Sequence, residues 1–205
     1  MISCIVTAAG LSRRFEGNKL LFKYHDRPLI AQTISNIVES KRIGKIVVVT
    51  GFMNKEIEEA VVKFVQDERI VFVNNPNYQE GMSSSVKKGI EFLVSHGDRI
   101  DGVMVNPGDA AWIHPFVYDL LVNAFYSYRP MIAVASYKGR RGHPILFSSS
   151  LVDDLTSIDE STKGLKKVVD KYHNNILQVE TLYPGVTLDF DTYLDYIRVK
   201  NALMR

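Results

Sequence analysis

The chain is 205 residues long, 46% apolar and 23% charged, which suits a soluble globular protein with one well-buried core and is short for two full domains. Its net charge of +2 excludes a general electrostatic grip on nucleic acid. No apolar run approaches bilayer length, and the lone cysteine, Cys4, can build neither an intrachain disulfide nor a Cys-rich zinc site, so no membrane partner is expected and a reducing, cytoplasmic location is.

Apolar periodicity alternates between strand and helix along the chain. Residues 2–8 form a short, nearly continuous apolar run, as expected of a strand covered on both faces rather than a secretory signal. Pro28 opens a helix with Ile30, Ile34, Ile37 and Val38 on one face, and 45–50 is a β-branched strand ending at Gly51. Asn54 is the expected cap of a helix bearing Ile57, Ala60, Val61, Phe64 and Val65 on one stripe. A third strand falls at 70–73, a helix carrying Val86, Ile90, Leu93 and Val94 follows Gly81, and 102–105 is a fourth strand closed by Asn106-Pro107-Gly108. Pro115 suits a first helical turn, and 131–135 is a fifth strand. Beyond it the rhythm changes: a strand over 142–147, a helix over 163–172, extended pieces at 177–182 and 186–190, and a terminal helix at 192–203. Strands alternating with helices indicate an α/β fold with a mostly parallel central sheet and helices on both faces, with the last part an addition to the same sheet within one domain over 1–205.

In such sheets ligands collect beyond the carboxyl ends of the strands, which selects the loops to inspect. The loop after strand one, Ala8-Ala9-Gly10-Leu11-Ser12-Arg13-Arg14-Phe15-Glu16-Gly17-Asn18-Lys19, has small residues that admit a phosphate chain and two cations, Arg14 and Lys19, to neutralise it. It is not a P-loop, because six residues separate Gly10 from Gly17 and Asn18 follows, and it is not G-x-G-x-x-G. A solvated surface loop explains the same residues taken alone. Asp109, after the fourth strand, suits a hard cation such as Mg²⁺, although Pro107-Gly108-Asp109 is also ordinary turn chemistry. Asp189 and Asp191, two apart on an extended piece, share a face and could flank a metal or ligand; Asp191 or Thr192 could instead cap the last helix. Ser83, Ser84 and Ser85 after Gly81 can cap a helix or meet sugar and base edges. Arg140-Arg141-Gly142-His143-Pro144 offers cations for a phosphate, with His143 by itself more typical of a structural histidine. The five histidines lack zinc spacing and no G-x-S-x-G occurs, so a transition-metal enzyme and a serine hydrolase fit poorly.

In this order the signals become specific. Ala8-Ala9-Gly10-Leu11-Ser12-Arg13-Arg14 through Lys19 resembles the A-A-G-x-S-x-R…K signature of the MobA-like nucleotidyltransferases, nearest their molybdenum cofactor cytidylyltransferase branch. Supporting matches are Glu80-Gly81-Met82-Ser83-Ser84-Ser85, Gly108-Asp109, Arg141-Gly142-His143-Pro144 with Phe147, and Asp189-Phe190-Asp191-Thr192, so the resemblance runs from residue 2 to about 200. It implies a three-layer, Rossmann-like nucleotidyltransferase fold, with a nucleotide-binding part at about 1–110 and an acceptor-binding part at about 111–205. It also implies Mg²⁺-dependent transfer of CMP from CTP, or of the nucleotide of another NTP, to the phosphate of molybdopterin or its metal-loaded form, with a molybdoenzyme as the product's recipient.

By the resemblance, Arg14, Lys19 and Asp109 are catalytic. Ala8, Ala9, Gly10, Ser12, Arg14, Lys19, Gly81, Ser84 and Ser85 bind the nucleotide, Arg141, His143 and Asp189 the acceptor, and Asp109 with Asp191 the metal. Ala9 points to the cytidylyl branch, since guanylyl relatives tend to carry Gly-Gly there. The chain departs from the pattern at Glu16, usually Gly, at Ala110-Ala111, where the family has Gln-Pro, and at Tyr193, usually Pro. The competing readings are a cytidylyl- or uridylyltransferase for a sugar, polyol or isoprenoid-precursor phosphate, guanylyl transfer to molybdopterin, and a non-catalytic nucleotide-binding regulator or cofactor chaperone. The whole case requires Lys19 and Asp109 to share one cleft.

Overall fold

The computed structural model describes residues 1–12, 15, 17–97, 99–188, 192, 195 and 197. Nine strands occur among them: β1 (Ile2–Ala8), β2 (Lys23–Tyr24), β3 (Arg27–Pro28), β4 (Ile43–Thr50), β5 (Ile70–Asn74), β6 (Gly102–Pro107), β7 (Ile132–Tyr137), β8 (Arg140–Ser148) and β9 (Ile176–Glu180). The helices are α1 (Leu29–Glu39), α2 (Asn54–Val62), α3 (Met82–Ser95), α4 (Pro115–Tyr128), α5 (Val152–Thr156) and α6 (Leu165–Lys171). Seven strands form one sheet in the order β5-β4-β1-β6-β8-β7-β9, while β2 and β3 pair as a small hairpin. All pairings in the large sheet are parallel except those of β8, which runs antiparallel to both β6 and β7.

Alternation within each strand builds two cores. Cys4 and Val6 of β1, Ile46 and Val48 of β4 and Met104 of β6 face α1, α2 and α4, where Ile34, Ile57 and Leu121 are fully buried. Ile5, Val47, Val49, Val103 and Phe147 face the other way, against Val86, Ile90 and Leu93 of α3 and Leu155 and Val168 of α5 and α6. Each fully buried aliphatic side chain contributes about 1.5–3 kcal/mol, so this three-layer arrangement carries most of the stability. The desolvated Cys4 thiol is pushed far above the ordinary cysteine range, which keeps it an inert core residue. No helix among the described residues is long and apolar enough to cross a membrane.

Several local expectations change. Asn54 does not cap α2; Met53, in the left-handed region at φ 56°, precedes the helix, and Asn54 is its first residue. The chain leaves that helix after Val62, so Phe64 and Val65 lie beyond it. The serines do not cap α3 through their side chains, because Gly81 holds the cap position. Val186 lies in a 3-10 turn, Pro184–Thr187, and not in an extended piece. That turn is pinned by close approach: a Cβ on Gly142 would sit 1.8 Å from the Val186 carbonyl oxygen. Most of the expected terminal helix lies outside the described residues, but Thr192 and Asp195 exchange capping-box hydrogen bonds, the Asp195 carboxylate accepting from the Thr192 N–H and hydroxyl at 2.8 Å each.

The chain runs β1-α1-β4-α2-β5 toward one edge with α1 and α2 on one face, then returns through α3 on the other face to β6. The winding therefore reverses beside β1, and the loops after β1 and β6 diverge there, which is where an α/β sheet opens a crevice.

Candidate active site

That crevice is a cleft of about 600 Å³ lined by Thr7 at the end of β1, by Ala9, Gly10, Leu11, Ser12, Phe15, Lys19 and Leu20 after it, by Pro107 and Asp109 at and after the end of β6, and by Tyr78, Gln79, Gly81, Met82 and Ser85 before and at the start of α3. Lys19 and Asp109 meet across it, Nζ to Oδ2 at 2.5 Å, with side chains 21% and 19% exposed. The requirement that they share one cleft is therefore satisfied.

The first loop is shaped by its own polar residues. Ser12 turns in the left-handed region at φ 49°, and its carbonyl accepts from the Phe15 N–H at 2.8 Å. Its hydroxyl accepts from the Lys19 N–H at 3.2 Å, while Asn18 accepts from the Leu20 N–H at 3.0 Å and starts the 3-10 turn Lys19–Leu21. This turn fixes Lys19 beside buried Leu20 and places both on the cleft, where the ammonium meets Asp109. A Cβ built on Gly10 would meet nothing within 4 Å, so the loop keeps open space over that residue, as a close-lying phosphate chain needs.

The opposite wall depends on residues far apart in sequence. Gly81, at φ 100°, fits beneath Glu160, whose Oε1 accepts from the Ser83 N–H at 2.7 Å and the Ser83 hydroxyl at 2.9 Å. An acidic group thus satisfies the positive end of α3 from 77 residues away. Ser84 is 7% exposed, hydrogen-bonded beneath the surface, and does not line the cleft; Ser85 does. Ala8 is likewise fully buried in β1 and lends no surface to the cleft.

After Asp109, the departure from Gln-Pro is filled by packing. Ala111 and Trp112 join Leu29, Phe15, Phe22, Tyr24 and Leu188 in a small apolar cluster. The Asn36 amide donates to the Ala111 and Ile113 carbonyls at 2.8 and 3.0 Å, and the Trp112 indole donates to the Leu188 carbonyl at 3.0 Å. The loop bearing Asp109 is thus held from behind by α1 and by the segment leading to residues 189–191.

His143 and Asp109 both border a small cavity of about 20 Å³ with Val186 and Leu188. Arg141 and His143 also rim a second hollow of about 260 Å³ lined by Ile132, Val134, Ile145, Val169 and Ile176, and Arg141 donates to Gln178 at 3.4 Å. Neither residue lines the main cleft. Arg14, Asp189 and Asp191 lie outside the described residues.

Among the described residues no group of three or more His, Cys, Asp or Glu side chains could hold a metal by itself. Asp109 alone fits a cation of the Mg²⁺ type, which takes one or two carboxylates from protein and the rest of its shell from phosphate oxygens and water. Thr7, Leu20, Tyr78 and Gln79 stand outside every motif read from the sequence and were not anticipated as cleft residues. The turn-rich Asn75-Pro76-Asn77-Tyr78 run directly after a strand was the available signal, since it too follows a strand's carboxyl end.

Comparison with known proteins agrees with this geometry. The chain is 26% identical over 200 residues to the molybdenum cofactor cytidylyltransferase of Escherichia coli K12, covering 97% of this chain and 95% of that one. A probable molybdenum cofactor guanylyltransferase of Thermococcus sibiricus is 29% identical over 69% of this chain and 65% of its own length. The crystal structure of Rv0371c from Mycobacterium tuberculosis H37Rv superposes with a TM-score of 0.79 at 22% identity, covering 98% of this chain and 97% of that one. A second structure of that protein, in complex with manganese, covers 98% of each chain at 22% identity with a TM-score of 0.72. The MobA-like NTP transferase domain matches residues 4–176, and with the cleft placed at the switch point of the sheet, the chain belongs to the MobA-like NTP transferase family and is a nucleotidyltransferase.

Proposed function

We propose that the protein transfers CMP from CTP to the terminal phosphate of molybdopterin, releasing pyrophosphate. The observation that carries this reading is the meeting of Lys19 and Asp109 in a cleft where Gly10 stays uncovered. The first loop, 8–19, receives the triphosphate, with Lys19 and Arg14 on its charge. Gly81 and Ser85 belong to the base and ribose end, with Ser84 serving from beneath through its hydrogen bonds to Asn75 and the Gly81 carbonyl. Arg141, His143 and Asp189 serve the acceptor, with His143 already bordering one small cavity with Asp109.

The chemistry suits this inventory. An acceptor phosphate oxygen is anionic at neutral pH and attacks the α-phosphorus directly; the new P–O bond forms as the bond to the bridging oxygen breaks, and pyrophosphate leaves with its charge. No general base is required. Lys19 and Arg14 hold the β- and γ-phosphates and stabilise the charge that develops on the leaving group. Mg²⁺, held by Asp109 with Asp191, supplies Lewis-acid polarisation and a template for the phosphates when bound. Lys19 neutralises Asp109 in the free protein and is drawn to the triphosphate on binding.

Support for cytidylyl over guanylyl transfer comes from Ala9 and from the near full-length match to the bacterial cytidylyltransferase. The test is a panel of four NTPs crossed with molybdopterin and two unrelated phosphorylated acceptors, read as pyrophosphate release in the presence of Mg²⁺. Turnover is expected with CTP and molybdopterin. Equal turnover with a sugar phosphate defeats the acceptor assignment, and preference for GTP moves the protein to guanylyl transfer.

A further inference from the structure

Asn75 follows β5, is 3% exposed, and belongs to none of the motifs that mark the site. Its amide orientation is fixed by chemistry. The Asn77 backbone N–H can only donate, and it does so to Asn75 Oδ1 at 3.0 Å. The amide nitrogen therefore faces α3, where it donates to Ser84 Oγ at 2.9 Å and Ser85 Oγ at 3.1 Å. Both amide protons are thereby used. Ser84 passes its own proton to the carbonyls of Gly81 at 2.8 Å and Asn77 at 3.0 Å. Ser85 accepts from Asn75 and, among the described residues, donates to no protein group. It is also the one of the three consecutive serines that lines the cleft.

We propose that Asn75 is a positioning residue: its buried amide occupies a lone pair of Ser85 and leaves the Ser85 hydroxyl proton directed into the cleft, where it selects an acceptor oxygen of the nucleoside. The inference rests on the nucleotide reading of the cleft and adds the polarity of one contact. A hydroxyl left to itself rotates to meet either a donor or an acceptor; one whose oxygen is held by a committed amide donor offers its proton. The serine–asparagine cluster belongs to the start of α3 and Lys19 to the first loop, so the contact is assigned to the nucleoside and not to the triphosphate.

The experiment is calorimetric titration of wild type, Asn75→Asp, Ser85→Ala and the double variant with CTP and with inorganic tripolyphosphate. In Asn75→Asp one carboxylate oxygen keeps the Asn77 N–H, while the other replaces the nitrogen and accepts the serine protons. Three donors hold that carboxylate ionised, and the Ser85 proton turns away from the cleft. Loss of one neutral hydrogen bond corresponds to about fivefold in affinity. Each single variant is expected to weaken CTP by about that factor, the double variant no further than Ser85→Ala, and tripolyphosphate binding to stay level throughout. Unchanged CTP affinity in a folded Asn75→Asp, additive losses in the double variant, or an equal loss for tripolyphosphate each overturn the proposal and leave the transferase reading intact. If Asn75→Asp does not fold, undiminished CTP binding by Ser85→Ala overturns it. A wild-type protein that binds neither CTP nor another NTP overturns both readings together.

Discussion

Two cation–carboxylate pairs sit at opposite ends of the strands of one sheet, the first beside β4 and β5 and the second after β1 and β6, and they are built for opposite purposes. At the amino-terminal ends, Arg69 donates through Nε and Nη2 to Asp67 at 2.8 Å each, and through its two terminal nitrogens to the carbonyls of Val38, Ser40 and Ile43 at 2.6, 2.6 and 2.9 Å. The fork is saturated, and it ties the end of α1 to the starts of β4 and β5. The hydrogen bonds from Arg69 pull the Asp67 carboxyl down to about 2. At the carboxyl-terminal ends, Lys19 and Asp109 form a point contact on the wall of the cleft, with room beside them for a ligand to take either partner away. A planar guanidinium suits a permanent clasp, and a flexible ammonium suits an exchangeable one. Ion pairing by itself therefore says little about purpose; adjoining space says much more.

Breaking the exchangeable pair has the largest expected effect. Asp109→Ala lowers pyrophosphate-forming turnover by at least roughly 10³-fold while the circular dichroism spectrum stays that of the wild type. Wild-type rates in that variant would erase the distinction between the two pairs. Breaking the clasp acts on stability instead. Arg69→Ala leaves three backbone carbonyls without their donor and costs about 2–3 kcal/mol, seen as a Tm lower by several degrees, with CTP affinity within twofold of wild type. A matching loss of nucleotide affinity would show that the two ends of the sheet are coupled.

The smallest effect is in acid. The folded Asp67 carboxyl lies below its ordinary value of 3.8, so its contribution to stability is complete above about 4 and disappears as pH falls toward about 2. Stability of the wild type is expected to decline through that window by urea melts at stepped pH, and Asp67→Asn to start lower and decline less. Parallel slopes in the two proteins would remove Asp67 from the acid response.

Much of the site was legible because its parts follow strands. Gly10, Ser12, Lys19, Gly81, Ser85 and Asp109 all stand where a loop leaves a strand end or enters the next helix, and small residues, hydroxyls and opposite charges there announce themselves by type and spacing. Ala8 and Ser84 carry the same motifs yet turn inward, because alternation along β1 buries Ala8 and the Asn75 cluster engages Ser84. Glu160 went unread because a cap supplied from 77 residues away leaves no local pattern. The hairpin of β2 and β3, two residues per strand, and the five-residue α5 are too short for any periodicity to register.

By itself the sequence determined where the longer strands and helices fall, that they alternate into an α/β sheet, and which strand-end loops line the cleft. These follow from periods of 2 and 3.6 residues and from side-chain type, both properties of short stretches of backbone. Only the tertiary structure decided that β8 inserts antiparallel between β6 and β7, that Lys19 reaches Asp109, and that Asn75 and Glu160 brace the start of α3. Those are pairings between distant stretches, chosen by which packing buries the two apolar faces together and gives partners to buried polar groups such as Asn36 and Asn75, and no single stretch carries that information.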